Sequence, residues 1–155
     1  MKTAHRNAAR AKREGLPKFW LRAAPESRRT TGKVACLDLV DRFTSGKATA
    51  DDMWDWIETG FMASHMVHLL ATQEAVEFTE EAMAAVAEQL NTFANVTGRH
   101  RRTGRVGFNS AELLAARAAA EVISGLLDMD RHGIAERAAH WGHEQAQILR
   151  RRFGT

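Results

Sequence analysis

Tyrosine is absent from this 155-residue chain, cysteine occurs once and proline twice. A single cysteine excludes an internal disulfide framework. Cys36 lies in the apolar run Val34-Ala35-Cys36-Leu37, the setting of a buried, inert thiol rather than a nucleophile. Scarce proline with abundant alanine favours helix over sheet, because proline breaks helices and alanine costs them least. Long apolar runs are missing too. The longest, Phe61 to Ala71, is interrupted by Ser64, His65 and His68 and is too short to span a bilayer. The basic residues at the start are followed by no apolar stretch, so no secretory signal is expected there. The expectation is a cytoplasmic protein without a membrane partner.

Catalytic signatures are equally scarce. None of the serines at 27, 45, 64, 110 and 124 sits in a Gly-x-Ser-x-Gly elbow. No Gly-Lys-Ser/Thr occurs, and Gly104-Arg105-Val106-Gly107 follows no strand, so a nucleotide cradle has no support. The paired acids Asp51/Asp52 and Glu80/Glu81 fall in first helical turns, where the helix dipole accounts for them. The chain is read as a non-enzyme that needs no cofactor.

What is present is charge sorted into blocks. Residues 1–33 carry a net +8 and residues 34–98 a net −9; residues 99–105 return +4, residues 106–149 give −3, and Arg150-Arg151-Arg152 add +3. The overall +3 therefore conceals strong local fields, which act on partners at long range and say little about fold.

Residues 1–32 read as a basic arm carrying one apolar knot, Phe19-Trp20-Leu21, an anchor for the chain's own core or for a neighbour. A single domain is expected over residues 33–155. Its first helix runs from about Lys33 to Phe43, with Cys36, Leu37, Val40 and Phe43 inward. Thr49 caps a second helix, about Ala50 to Thr72, apolar on two sides and therefore central. Thr79 caps a third, with Met83, Val86, Leu90, Phe93 and Val96 inward, ending near Gly98 before an Arg-rich loop over 99–107. Asn109 and Glu112 have the spacing of a capping box for a fourth. A last helix follows His132-Gly133 and carries Ile134, Ala138, Trp141, Ile148 and Leu149. No period-two alternation or hairpin signal appears. The expected fold is all-α: a bundle of about five helices behind a basic arm. The expected core is Trp54, Ile57, Phe61, Leu69, Leu90, Phe93, Ile123, Leu127, Trp141 and Ile148.

Three groups of residues are candidates for function. The Arg loop offers Arg99, Arg101, Arg102 and Arg105, whose guanidinium forks suit phosphate oxygens; compensation of a helix C-terminus is the structural alternative. The acidic block offers Asp51, Asp52, Asp55, Glu58, Glu77, Glu80 and Glu81 as a face that competes with nucleic acid for a basic channel. Phe19, Trp20 and Leu21 are expected to anchor a homodimer. A weaker alternative is a metal held by His65 and His68 on one helix and His140 and His143 on another, since residues three apart share a face. Four-helix metal sites usually bring Glu with the His, and no carboxylates match here.

The segment Arg101-Arg102-Thr103-Gly104-Arg105-Val106-Gly107-Phe108, followed by Ser110-Ala111-Glu112-Leu113, resembles an Arg-Arg-Thr-Gly-Arg-x-Gly-Phe stretch in small uncharacterised proteins. Those proteins are scattered through phages, plasmids and genomic islands of proteobacteria. The resemblance extends over about residues 27–150. It implies a mobile-element setting and supplies no catalytic residues. The resulting expectation is a non-enzymatic protein that inhibits or modulates a host nucleoprotein defence complex, as an anti-CRISPR protein does. Two alternatives stand beside it: a nucleic-acid-binding transcriptional regulator, and a metal-dependent bundle enzyme. The net −5 of residues 34–155 weighs against a dedicated DNA binder.

Overall fold

Short polar side chains start three helices. Thr49 accepts the backbone N–H of Asp52 while the Asp52 carboxylate accepts the N–H of Thr49. Asn109 and Glu112 make the same reciprocal pair, and Thr79 accepts from Ala82. Each cap satisfies a donor that the first helical turn would otherwise leave orphaned. The computed structural model describes residues 28–153. Among them the chain is an all-α bundle of five helices: α1 (Arg28–Thr44), α2 (Ala50–Gln73), α3 (Glu80–Thr103), α4 (Ser110–Asp128) and α5 (Ile134–Phe153).

Consecutive helices alternate in direction, and cross-helix contacts fix the pairing. Lys33 at the start of α1 meets Asp128 at the end of α4. Asp51 at the start of α2 meets Arg150 near the end of α5, and Glu74 just after α2 meets His132 just before α5. α2 packs most extensively against α5 and then against α3, while α4 rests on α3 and α1. The helix that is apolar on two sides is thus the central one.

The core is one cluster drawn from all five helices, with Trp56, Ile57, Met66 and Leu70 of α2, Ile123 of α4 and Ile134 of α5 among its most buried members. Trp54, Leu69, Phe93 and Leu127 are buried with them, whereas Phe61, Leu90 and Trp141 are half-buried at the edge. Three expected inward residues face solvent: Leu37 at 62%, Met83 at 54% and Ile148 at 50% exposure. The reason on α5 is that the helix buries its smallest residues, Ala135, Ala138, Ala139, Gly142 and Ala146. This brings backbone against backbone. A Cβ added to Gly142 would lie 2.8 Å from the Met62 amide nitrogen and 3.0 Å from the Glu58 carbonyl oxygen.

Two boundaries differ from expectation. α1 starts at Arg28 rather than near Lys33, so helix extends into residues assigned to the arm. Phe19, Trp20, Leu21 and the rest of the arm lie outside the described residues. α3 does not stop near Gly98 but continues to Thr103. Gly104 ends it in a left-handed conformation (φ 71°) and donates its N–H to the His100 carbonyl at 2.7 Å. A glycine inside a helix costs only about 1 kcal/mol relative to alanine, and the left-handed cap at Gly104 with the cations of the last turn favours the longer helix.

Candidate functional site

Because α3 runs on to Thr103, Arg99, His100, Arg101 and Arg102 belong to its last turns and only Arg105 lies in the connection. The Arg loop is therefore a helix end. Arg99 leaves the candidate set. Its guanidinium donates to both Glu112 carboxylate oxygens, at 2.6 and 3.1 Å, and to the Gly107 carbonyl at 2.8 Å. The hydrogen bond to Glu112 raises the Arg99 pKa further above its ordinary range. Arg42 does the same one connection earlier, reaching Asp52 at 2.8 Å. In both places the carboxylate of a capping box is clamped by an arginine from the preceding helix.

Arg101, Arg102 and Arg105 are exposed. The fold sets them beside the second basic block. α3 and α5 end at the same pole of the bundle, where the Arg101 guanidinium stacks 5.0 Å from the centre of the Phe153 ring. Arg150, Arg151 and Arg152 occupy that last turn of α5. Arg150 is committed to Asp51 at 3.1 Å and lies 5.7 Å over the Trp54 ring. Among the described residues no ion pair holds Arg102, Arg105, Arg151 or Arg152. Two blocks nearly fifty residues apart in sequence thus make one cationic pole.

A cleft of about 310 Å³ opens between α2, α3 and α5 at this pole, at the lower end of the roughly 300–1,000 Å³ of ligand sites. Met53, Trp54, Phe93, Leu149 and Phe153 form its apolar walls, with His100 and Arg101 beside them. Trp54 and Phe93 pack with ring centres 5.4 Å apart. The His100 Nδ1 is buried and has no hydrogen-bond partner among the described residues.

The acidic residues do not form one face. Asp52 and Glu58 are buried, the first in its capping box and the second 3.2 Å from the His143 Nδ1. Asp51, Asp55 and Glu58 recur at helical spacing, and the stripe runs along the seam with α5, facing His143, Gln147 and Arg150. Glu77, Glu80 and Glu81 are exposed at the opposite pole of the bundle. The fold divides these seven acids among a capping box, a helix seam and a far end.

Nor do the histidine pairs meet. His65 stacks on Trp141 with centres 4.6 Å apart and lies 5.8 Å from the His68 ring, while His143 is held two helical turns away by Glu58. Among the described residues no three His, Cys, Asp or Glu side chains gather as metal ligands. Burial pushes the Cys36 thiol up to about 12, which keeps it protonated. Among the described residues, no helix is long and apolar enough to cross a membrane.

Trp54, His100, Arg150 to Arg152 and Phe153 are the site residues that sequence reasoning did not assemble. The Arg150-Arg151-Arg152 run was their visible signal. Comparison with known protein families, curated protein sequences and solved structures finds no match for this chain. The functional reading therefore rests on geometry and charge.

Proposed function

We propose that this is a non-enzymatic, mobile-element protein that binds and modulates a host nucleoprotein complex, as an anti-CRISPR-like inhibitor does. Its cationic pole lies against the complex's nucleic acid, and the exposed Glu77, Glu80 and Glu81 are left to face basic protein surface. It acts in the cytoplasm as a homodimer anchored by Phe19, Trp20 and Leu21. The observation that carries the reading is the convergence of Arg101, Arg102 and Arg105 with Arg151 and Arg152 at one pole. Compensating one helix dipole takes about half a unit charge at each C-terminus, and this pole holds several times that. Exposed arginines of this kind add little to stability, so their concentration is better explained by a polyanion.

The test is capture of complexes by the full chain from a proteobacterial host, with and without nuclease, beside an R101A/R102A/R105A variant. One stoichiometric nucleoprotein that the wild type recovers and the variant loses is expected. Recovery of the bait alone overturns the proposal. Binding of naked duplex with a steep salt slope, and of no protein, moves the reading to a transcriptional regulator.

A further inference from the structure

We propose that the cleft at the cationic pole receives an unstacked base of single-stranded nucleic acid, while Arg101, Arg102 and Arg105 hold the adjoining phosphates. The proposal rests on the nucleic-acid half of the reading above and names which form of nucleic acid the pole selects. An arginine cluster alone grips any phosphate backbone. Here one member, Arg101, lines a hollow of about 310 Å³ walled by Trp54, Phe93, Leu149 and Phe153, and a duplex presents no free base face to such a wall. Single strands do, and binding platforms for them pair a cationic track with aromatic rings on which bases stack.

Phe153 is the natural platform. It keeps 48% of its surface exposed although it is a large aromatic at a helix end, and Arg101 stacks on its ring. A guanidinium stacked on a phenyl ring serves both tasks at once, since it steadies the ring and offers its N–H edge to a phosphate. Charge complementarity decides the occupant, because a neutral apolar ligand would leave the adjoining arginines unused.

The experiment is fluorescence anisotropy of the full chain with four labelled probes of equal length: a thymidine strand, a uridine strand, an abasic strand with the same phosphates, and a duplex. The pyrimidine strands are expected to bind about tenfold more tightly than the abasic one, within the five- to hundredfold range that stacking of one base supplies. Phe153→Ala and Phe153→Leu are expected to erase that difference, and Phe153→Trp to keep it. Circular dichroism of each variant checks that the bundle is intact. R101A/R102A/R105A is expected to weaken all probes together. Equal affinity for abasic and pyrimidine strands overturns the base cleft and leaves the phosphate-binding pole standing, as does preference for duplex. Failure of every probe overturns both.

Discussion

The Arg99 guanidinium lies against both oxygens of the Glu112 carboxylate, which at the same time closes the capping box of α4 on the Asn109 amide. One side chain, 6% exposed, thus ties the end of α3 to the start of α4. Replacing Glu112 by alanine removes both duties, and a loss of about 1–3 kcal/mol is expected in denaturant unfolding, from the cap and the abandoned charged partner together. Arg99→Ala is expected to cost a similar amount, and the double variant less than the sum. The R101A/R102A/R105A variant is expected to stay within about 0.5 kcal/mol per site of wild type. Equal losses in the two sets would make the whole helix end a structural clamp.

Glycine substitutions separate the seams of the bundle. Gly142→Ala pushes a methyl group into the Met62 and Glu58 backbone and is expected to destabilise by about 1–3 kcal/mol or more, as overpacking does. Gly125→Ala, within α4, meets nothing inside 4 Å and is expected to stabilise by about 0.5–1 kcal/mol through helix propensity. Thermal midpoints read both, and like signs would refute the close approach of α2 and α5.

Acid is expected to weaken the His65 contact. The imidazole is held below its usual value of about 6.5, chiefly by burial and then by the positive charge of His68 and Arg137. The unfolded chain therefore takes the proton first on acidification. Between about pH 6.5 and the lower folded-state value the unfolded state binds more protons, so stability rises with pH and falls as pH drops through that window. His65→Phe keeps a ring on Trp141 and cannot titrate. The midpoint of wild type is expected to fall more than that of His65→Phe between about pH 7 and pH 5; parallel curves would contradict the prediction.

Salt sensitivity is expected to track the arginines one by one. If the cationic pole contacts phosphates, the logarithm of affinity falls with the logarithm of salt by about 0.7–0.9 per contact. Removal of Arg102 or Arg105 singly is expected to lower that slope by about one contact. An unchanged slope with weaker binding would assign the arginine a structural part.

Light scattering of the intact chain is expected to report a dimer, and Phe19→Ala with Trp20→Ala to shift it toward monomer. Charge alone is screened within about 8 Å at physiological salt, so the aromatic anchor carries the expectation. A monomer at tens of micromolar refutes it.

Helix starts were legible in the sequence because capping is local: Thr49, Thr79 and Asn109 each act within three residues. Ends were less so. Gly98 looks like a terminator, yet it sits six residues before the glycine with the left-handed angle. Burial failed at Ile148 because periodicity follows the largest apolar residues, whereas α5 packs through alanines and Gly142. The burial of Asp52 and Glu58 escaped notice for a related reason. Charge counted along the chain cannot tell Asp52, spent on a cap and on Arg42, from Glu80, open to water. Arg99 likewise required the position of Glu112. The joining of two basic blocks at one pole is a product of tertiary topology.

The alanine and glycine seam has a mechanical consequence. Where two backbones touch without intervening side chains, as at Gly142, no rotamer can yield, so the spacing of α2 and α5 is fixed there. Trp54 stands on the first and Phe153 on the second, and their separation is set by that seam. The third wall, α3, which carries Phe93 and His100, is tied to α2 by the buried Gln89 amide, which donates to the Trp56 carbonyl at 3.2 Å. The walls of the cleft are thereby held by backbone contact on one side and by a buried hydrogen bond on the other.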